Sequence, residues 1–445
     1  MSGRVLVLGG GSTGEAFCAA LRRLDSDVPI TLVERELVGG ECTYFACMPS
    51  KTLLRSPELV AAARIAPGAA EALSGRLDVK RVFWWRDQVV DGHDDSGHES
   101  WLADRAVELV RGDARVVEPG LVEVDGRQIA YEKLLVATGS APAIPPVPGL
   151  DRAEYWTTRE ATSASEVPAS LVVLGGGVAG CELAQLYHRL GAEVTIVQRP
   201  ERLMPRVDPA AAELLRQAFE EEGIAMRLGA AAEGAERTPS GVRIELADGS
   251  SVEAERLLVA SGRKPNVDGL GLEELGVTIG RRGIEVDEYL QAAESVWAAG
   301  DVTGVALFTH VGKYQARVAA ANVAGRHVPA DHRAIPSAAF TDPQVAQVGL
   351  LEGEGLVSAE WRIDRTSRTS TYERPKRPGF VKLVADPERR VLVGAVAVGP
   401  EAGEWLGQLT LAVRAEVPVD VLRDTIQPYP TFSEAIFFAA RDLPL

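Results

Sequence analysis

Arg4-Val5-Leu6-Val7-Leu8-Gly9-Gly10-Gly11-Ser12-Thr13-Gly14 joins a short apolar strand directly to a G-x-G-x-x-G turn. A helical pattern follows from Glu15 to Leu24, then a second strand, Ile30-Thr31-Leu32-Val33, ending in Glu34. Gly9 makes the tight turn, Gly11 admits a pyrophosphate against the backbone, and Gly14 lets helix and strand pack closely. The helix N-terminus faces the phosphates. Glu34 is placed to accept from a ribose hydroxyl. The pattern predicts a dinucleotide-binding βαβ unit.

The plan then repeats. Leu171-Val172-Val173-Leu174 leads into Gly175-Gly176-Gly177-Val178-Ala179-Gly180, a helix containing Glu182, and the strand Val194-Thr195-Ile196-Val197. The repeat places Gly175, Gly177 and Gly180 in the roles of Gly9, Gly11 and Gly14. It ends in Gln198-Arg199, with Arg202 close behind, where the first unit ends in Glu34. Losing the acid and gaining arginines favours a ligand carrying a 2′-phosphate, hence NADPH over NADH, with NADH not excluded.

Between the two units lies Gly39-Gly40-Glu41-Cys42-Thr43-Tyr44-Phe45-Ala46-Cys47-Met48-Pro49-Ser50-Lys51. The spacing of Cys42 and Cys47 brings two sulfurs within bonding range across little more than one helical turn. The chain has four cysteines, too few for a disulfide-stapled secreted fold. Cys18 and Cys181 fall in apolar helices and read as buried side chains. No further Cys or His at ligand spacing accompanies the pair, so a redox role is favoured over a metal site.

At 445 residues the chain exceeds one typical domain. It is 46% hydrophobic and 25% charged, ordinary for a globular protein. Its net charge of −16, from 47 basic and 63 acidic residues, disfavours nucleic acid and anionic membranes as partners. The N-terminus runs directly into a strand and no apolar run suits a bilayer span, so a cytoplasmic location is expected.

Further along, Lys51 to Ala66 reads as a helix, Phe83-Trp84-Trp85 as core, and His93-Asp94-Asp95 with His98 as an exposed acidic loop. Residues 101–136 suggest a helix and a small antiparallel insertion, ending in the strand-to-turn exit Leu134-Leu135-Val136-Ala137-Thr138-Gly139. The proline-rich run from Ala141 to Gly149 marks a domain boundary. Leu257 to Asn266, including Gly262 and Arg263, echoes that exit. Asp301 follows a strand and can hold a sugar-alcohol hydroxyl, and a helix runs from His310 to Ala324. Strands at 337–349, 379–384 and 391–398, helices at 403–415 and 418–424, and a last apolar helix complete an α+β region. The expected fold is α/β, with two Rossmann-like domains and a C-terminal α+β domain. The expected boundaries are 1–149, 150–268, a central segment 269–334 completing the first site, and 335–445.

Two nucleotide sites with a C-x4-C pair after the first resemble the flavoprotein disulfide reductases, the family of dihydrolipoamide dehydrogenase, glutathione reductase and mercuric reductase. Ala137-Thr138-Gly139, Gly262-Arg263-x-Pro265-Asn266, Gly300-Asp301 and Phe340-Thr341-x-Pro343 also match. The resemblance implies FAD at Gly9, Gly11, Ser12, Gly14, Glu34, Gly40, Cys42, Lys51, Thr138, Gly139, Asp301 and His310. It implies NAD(P)H at Gly175, Gly177, Gly180, Gln198, Arg199, Arg202, Gly262 and Arg263. It makes Cys47 the flavin-facing sulfur and Cys42 the sulfur that attacks substrate, with Lys51 and Glu182 as an ion pair near the reacting centre. It further implies a homodimer in which Tyr429 and Glu434 of one chain reach Cys42 of the other.

One motif departs from the family. Disulfide-reducing members end in His-Pro-Thr followed by Glu, the histidine serving as acid and base. Here Tyr429-Pro430-Thr431 stands in its place with Glu434 kept, and no histidine follows His332. A tyrosine, with an unperturbed pKa of about 10, is a poor base at neutral pH. Mercuric reductases lack that histidine too, but they use a C-terminal cysteine pair, which this chain does not have. The expected activity is electron transfer from NAD(P)H through flavin and Cys42–Cys47 to a small disulfide, a thiol-reactive metal ion or a quinone. The alternatives are a diaphorase with direct flavin reactivity, a mercuric reductase-like or dihydrolipoamide dehydrogenase-like enzyme, and a nucleotide-bound sensor without turnover.

Overall fold

In the computed structural model, residues 3–372 and 379–445 are described. The chain folds as two compact units. The first comprises residues 3–49, Trp84–Ala143 and Gly262–Asp331. Its centre is a six-stranded sheet in which Val5–Leu8 (β1) lies between Ile30–Glu34 (β2) and Lys133–Val136. Val107–Arg111 extends the sheet beyond β2, and Val296–Ala298 and Gln291–Ala293 extend it on the other side. The neighbours run parallel except the outermost pair, Val296–Ala298 with Gln291–Ala293. Val107–Arg111, expected within an antiparallel insertion, is instead a parallel strand beside β2. Its apolar residues suit burial on that edge.

The alternation of side chains along β1 explains its unbroken apolar run. Val5 and Val7 face a helical layer with Phe17, Cys18 and Leu21 of Ser12–Leu24 (α1) and Ala316, Ala319 and Val323 of the helix Thr309–Val323. Leu6 and Leu8 face the opposite way, onto Val116, Val122 and Ile129 of a three-stranded antiparallel sheet. A strand covered on both faces needs an apolar residue at every position.

The second unit comprises residues 50–83, Ile144–Ser261 and the described residues from His332 onward. It repeats the same construction. Ser170–Leu174 sits between Glu193–Gln198 and Arg256–Val259 in a five-stranded parallel sheet. Leu171 and Val173 pack on Cys181, Leu183 and Tyr187 of the helix Val178–Leu190. Val172 and Leu174 pack on Val242, Ile244 and Leu246 of a second antiparallel sheet.

From Pro336 a five-stranded antiparallel sheet carries three helices, Ala402–Arg414, Val419–Asp424 and Glu434–Asp442, on one face. Its other face, including Val396 and Val398, joins the core around Tyr187. A strand at Val357–Arg362 was not evident from sequence, because alternate positions are only half-buried on the sheet edge.

Trp84 and Trp85, expected in the core, are 48% and 39% exposed while Phe83 is buried. On the helix Val79–Val89, three consecutive residues cannot all face one side. Among the described residues no helix is long and apolar enough to cross a membrane.

Candidate active site

In the first unit β1 delivers the chain into Gly9, whose φ of 106° suits glycine. A Cβ at Gly14 would collide with the Gly9 carbonyl, so the third glycine sets how closely α1 approaches the strand exit. At Gly11 a Cβ would meet only the Gly40 Cα, at 3.9 Å. Gly11 also precedes α1 without a side-chain cap. An open backbone at the start of a 13-residue helix suits a pyrophosphate, so the residues present fit a dinucleotide. Glu34 is already committed within the loop: Oε2 accepts from the Gly10 N–H at 2.7 Å and Oε1 from the Glu36 N–H at 2.8 Å. Each carboxylate oxygen keeps a further lone pair for a ribose hydroxyl.

The cysteine stretch is stitched to this loop. The Gly39 N–H donates to the Gly10 carbonyl at 2.8 Å, and Gly11 and Gly39 form a parallel bridge. Gly40 has φ 64°, and a Cβ there would lie 2.8 Å from the Gly11 Cα. From that anchor the chain forms Gly40–Tyr44 (α2), breaks, and starts again as Cys47–Ile65 (α3). The cysteines therefore sit on two helices rather than along one turn. The Cys47 sulfur is 3.5 Å from Thr309 Oγ1 at the start of the helix Thr309–Val323. A hydrogen bond to Cys47, and secondly burial, push the Cys42 thiol well above the usual range, with Thr309 and Lys313 opposing.

Residues 93–98, expected as an exposed acidic loop, pack against the cysteine stretch. Tyr44 is 1% exposed, its hydroxyl donates to the Asp94 carbonyl at 3.3 Å, and its ring lies 6.0 Å from both His93 and His98. Burial, reinforced by Asp95 and neighbouring carboxylates, pushes the Tyr44 phenol up to about 12, so it remains a donor at neutral pH. His98 Nδ1 lies 2.6 Å from Glu15 Oε1 on α1. The Glu15 carboxyl is raised by burial, with His98 opposing. Glu15 and His98 are 83 residues apart, and no local pattern links them.

Thr138 and Asn266 tie the two strand exits together, Thr138 Oγ1 donating to the Asn266 carbonyl at 2.6 Å and Asn266 Nδ2 to the Thr138 carbonyl at 2.9 Å. Gly139 joins them by accepting from the Asn266 N–H at 3.0 Å. Asp301 Oδ2 accepts from Ser140 Oγ at 2.6 Å. Gly262 and Arg263, expected beside the nicotinamide nucleotide, belong to the first unit. Arg263 donates to Ser140 Oγ at 2.7 Å and to its carbonyl at 2.6 Å, and lies 3.6 Å from Glu41. The cationic fork is held by that turn and two acids, Glu41 and Asp301. His310 follows one residue into its helix, its ring stacked on Phe308 at 5.1 Å.

In the second unit the glycine loop repeats closely. Gly175 has φ 118°, and a Cβ at Gly180 would strike the Gly175 carbonyl. Gly177 opens onto empty space. Gln198 Oε1 accepts from the Gly176 N–H at 2.8 Å, the same bond that Glu34 makes to Gly10. The loop bond is conserved between the units while the charge is not. Arg199 is exposed, and Arg202 donates to the Pro205 carbonyl at 2.9 Å.

Lys51 and Glu182 form an ion pair at 2.6 Å. Glu182 is buried on the helix Val178–Leu190, and its other oxygen accepts from the Phe340 N–H at 2.8 Å. Lys51 Nζ lies 5.0 Å above the Phe340 ring. Tyr429 is 75% exposed, and Glu434 Oε1 accepts from the Thr431 N–H at 3.0 Å. Among the described residues no group of three or more His, Cys, Asp or Glu is arranged to hold a metal ion.

Residues 3–327 match the family described as pyridine nucleotide-disulphide oxidoreductase, and residues 335–440 match its dimerisation domain. A mercuric reductase from Staphylococcus aureus is 33% identical over 97% of this chain and 81% of its own length. A dihydrolipoyl dehydrogenase from Thermus scotoductus is 36% identical over 99% of this chain and 97% of its own. The crystal structure of LpdA from Mycobacterium tuberculosis superposes with a TM-score of 0.88 at 28% identity, covering 98% of this chain and 99% of that one. The chain is an oxidoreductase belonging to the pyridine nucleotide-disulphide oxidoreductase family, whose members use FAD and NAD(P)H.

Proposed function

We propose that this chain passes electrons from NADPH, in preference to NADH, through the Cys42–Cys47 pair to a small acceptor. The observation that carries this reading is the stitching of Gly39 and Gly40 to the Gly10–Gly11 backbone, which fixes the cysteine pair to a dinucleotide loop. FAD bound at that loop supplies the two-electron carrier between nicotinamide and sulfur. Gly9, Gly11, Ser12 and Gly14 would receive its pyrophosphate, Glu34 a ribose, and Asp301 its sugar-alcohol chain. Gly175, Gly177 and Gly180 would receive the nicotinamide nucleotide, and the neutral Gln198 with Arg199 would favour a 2′-phosphate.

The cysteines have unequal roles. Cys47 is the sulfur that faces the carrier, and Cys42, whose thiol is pushed up by its hydrogen bond to Cys47 and by burial, is the one that meets the acceptor. Lys51 and Glu182 would place a compensated charge near the reacting centre. The chain would work as a homodimer through residues 335–440, with Tyr429 of the partner subunit approaching Cys42. Relatives named mercuric reductase and dihydrolipoyl dehydrogenase support a thiol-reactive metal ion or a small disulfide as the acceptor.

Anaerobic titration of the flavoprotein with NADPH and with NADH tests the proposal. One equivalent of NADPH should expose two alkylatable thiols, Cys42 and Cys47, with long-wavelength absorbance that Cys47→Ser abolishes. NADH should be the poorer donor. Bleaching of the flavin with no new thiols would replace this reading with direct flavin reactivity toward a quinone or oxygen.

A further inference from the structure

The helix Thr309–Val323 brings two groups to the cysteine pair from one face. Thr309 Oγ1 is 3.5 Å from the Cys47 sulfur, and Lys313 follows four residues later. Positions i and i+4 of a helix lie one above the other, with Cβ atoms about 5–6 Å apart. Helical Cα–Cβ bonds tilt toward the N-terminus, so the Lys313 chain runs back over the turn that carries Thr309, toward the sulfurs. The Thr309 hydroxyl, by hydrogen bond, and the Lys313 ammonium, by charge, both oppose the upward push on the Cys42 thiol.

Lys313 is exposed and, among the described residues, pairs with no carboxylate. Glu15 of α1 feels its charge, yet Glu15 Oε1 is taken by His98 Nδ1 at 2.6 Å, which leaves the ammonium outside an ion pair. Lys313 lines an open cavity of about 630 Å³, as does Thr43, the residue after Cys42. It shares that cavity with Glu15 and Arg23 of α1, with Asp91, Asp94 and His98, and with Arg317 one turn on. The Tyr44 phenol, also on this cavity, is pushed up to about 12 by burial and stays neutral.

We propose that the Lys313 ammonium is the counter-charge of the Cys42 thiolate, and that it biases the site toward anionic acceptors and against cations. This deepens the Cys42–Cys47 reading and rests on it. A thiol is a nucleophile only as its thiolate. With Tyr429 standing where disulfide-reducing relatives carry a histidine, a fixed positive charge reaches the same end without a base. The Cys42 S–H bond breaks, the electron pair stays on sulfur, and the proton passes to water in the open cavity. Lys313 acts through the sulfur and hands over no proton, so it is a positioning residue. A bare thiol-reactive cation is repelled by Lys313 and Arg317, whereas a molecule carrying a carboxylate or phosphate beside its reducible group is drawn in.

Cys47→Ser holoenzyme, in which Cys42 is left without its partner sulfur, is alkylated across pH with neutral iodoacetamide and with anionic iodoacetate. Mass spectrometry reads the modification of Cys42. Adding Lys313→Gln should move the Cys42 midpoint up by about one pH unit, the effect of one charge acting across a partly solvated gap. The ratio of iodoacetate to iodoacetamide rates should fall about fivefold in the same variant. With Lys313 present that ratio should also fall as salt is raised. Lys313→Arg keeps the charge and should restore both readouts. Because Lys313 is exposed, neither substitution disturbs the core. A midpoint or a rate ratio unmoved by Lys313→Gln would overturn the proposal, as would an arginine variant as impaired as the glutamine one. Failure of the electron-transfer reading is separate: it would appear as NADPH exposing no Cys42 thiol in the wild-type enzyme, a step that alkylation of Cys47→Ser bypasses.

Discussion

Replacing Lys51 by methionine strips a buried carboxylate of its counter-charge. Glu182 is 3% exposed and meets Lys51 Nζ at 2.6 Å. At an effective dielectric of about 20 that separation corresponds to about 6 kcal/mol of attraction. The net loss is smaller, because Lys51 is 34% exposed and water can approach when it is shortened. Breaking a buried pair by deleting one partner costs about 3–5 kcal/mol, and partial exposure argues for the lower end, about 3 kcal/mol. Adding Glu182→Gln removes the orphaned charge while keeping an acceptor for the Phe340 N–H, and should return about 2 kcal/mol. Hydrogen exchange of the Phe340 amide reports the loss at the site itself. Its protection should drop about 100-fold in Lys51→Met, since about 1.4 kcal/mol is a factor of ten, and recover most of that in the double variant. Unchanged exchange in the single variant would refute the argument, as would a double variant less protected than the single.

Three further outcomes follow from local geometry. Cys42 is held protonated by its bond to Cys47, so Cys47→Ser should move its alkylation by iodoacetamide to lower pH. Mass spectrometry across pH locates that midpoint, and Cys18, pushed up to about 12 by burial, should stay unmodified at pH 8. Gly40→Ala puts a Cβ 2.8 Å from the Gly11 Cα at φ 64°, a strain of about 1–2 kcal/mol before any clash, and flavin content after purification should fall. Gln198→Glu keeps an acceptor for the Gly176 N–H but adds a negative charge, and should shift the NADPH-to-NADH rate ratio toward NADH about tenfold or more.

The two glycine turns were legible because their chemistry is local. A strand, three glycines at fixed spacing and a helix start specify a loop whose crowding leaves little choice at Gly14 and Gly180. The cysteine pair and its Pro-Ser-Lys continuation were legible for the same reason. Their division between α2 and α3 was not, because it depends on the bond from Gly39 to the first loop. Arg263 was read from sequence as part of a nucleotide-domain exit; what the sequence did not show is that its guanidinium bonds Ser140 and lies beside Glu41 and Asp301.

Residues 93–98 mark the limit most clearly. By composition they read as a solvated acidic loop, and nothing in their spacing points to Glu15. Folding sets His98 on Glu15 and over Gly39, since α1 and the cysteine stretch start from the same glycine turn. The sequence alone determined that the chain carries two G-x-G-x-x-G turns, the Cys42–Cys47 pair and Tyr429 ahead of Pro430-Thr431, because each is written in adjacent residues. Only the tertiary structure could decide which distant side chains share the surroundings of Cys42, because that depends on long-range packing.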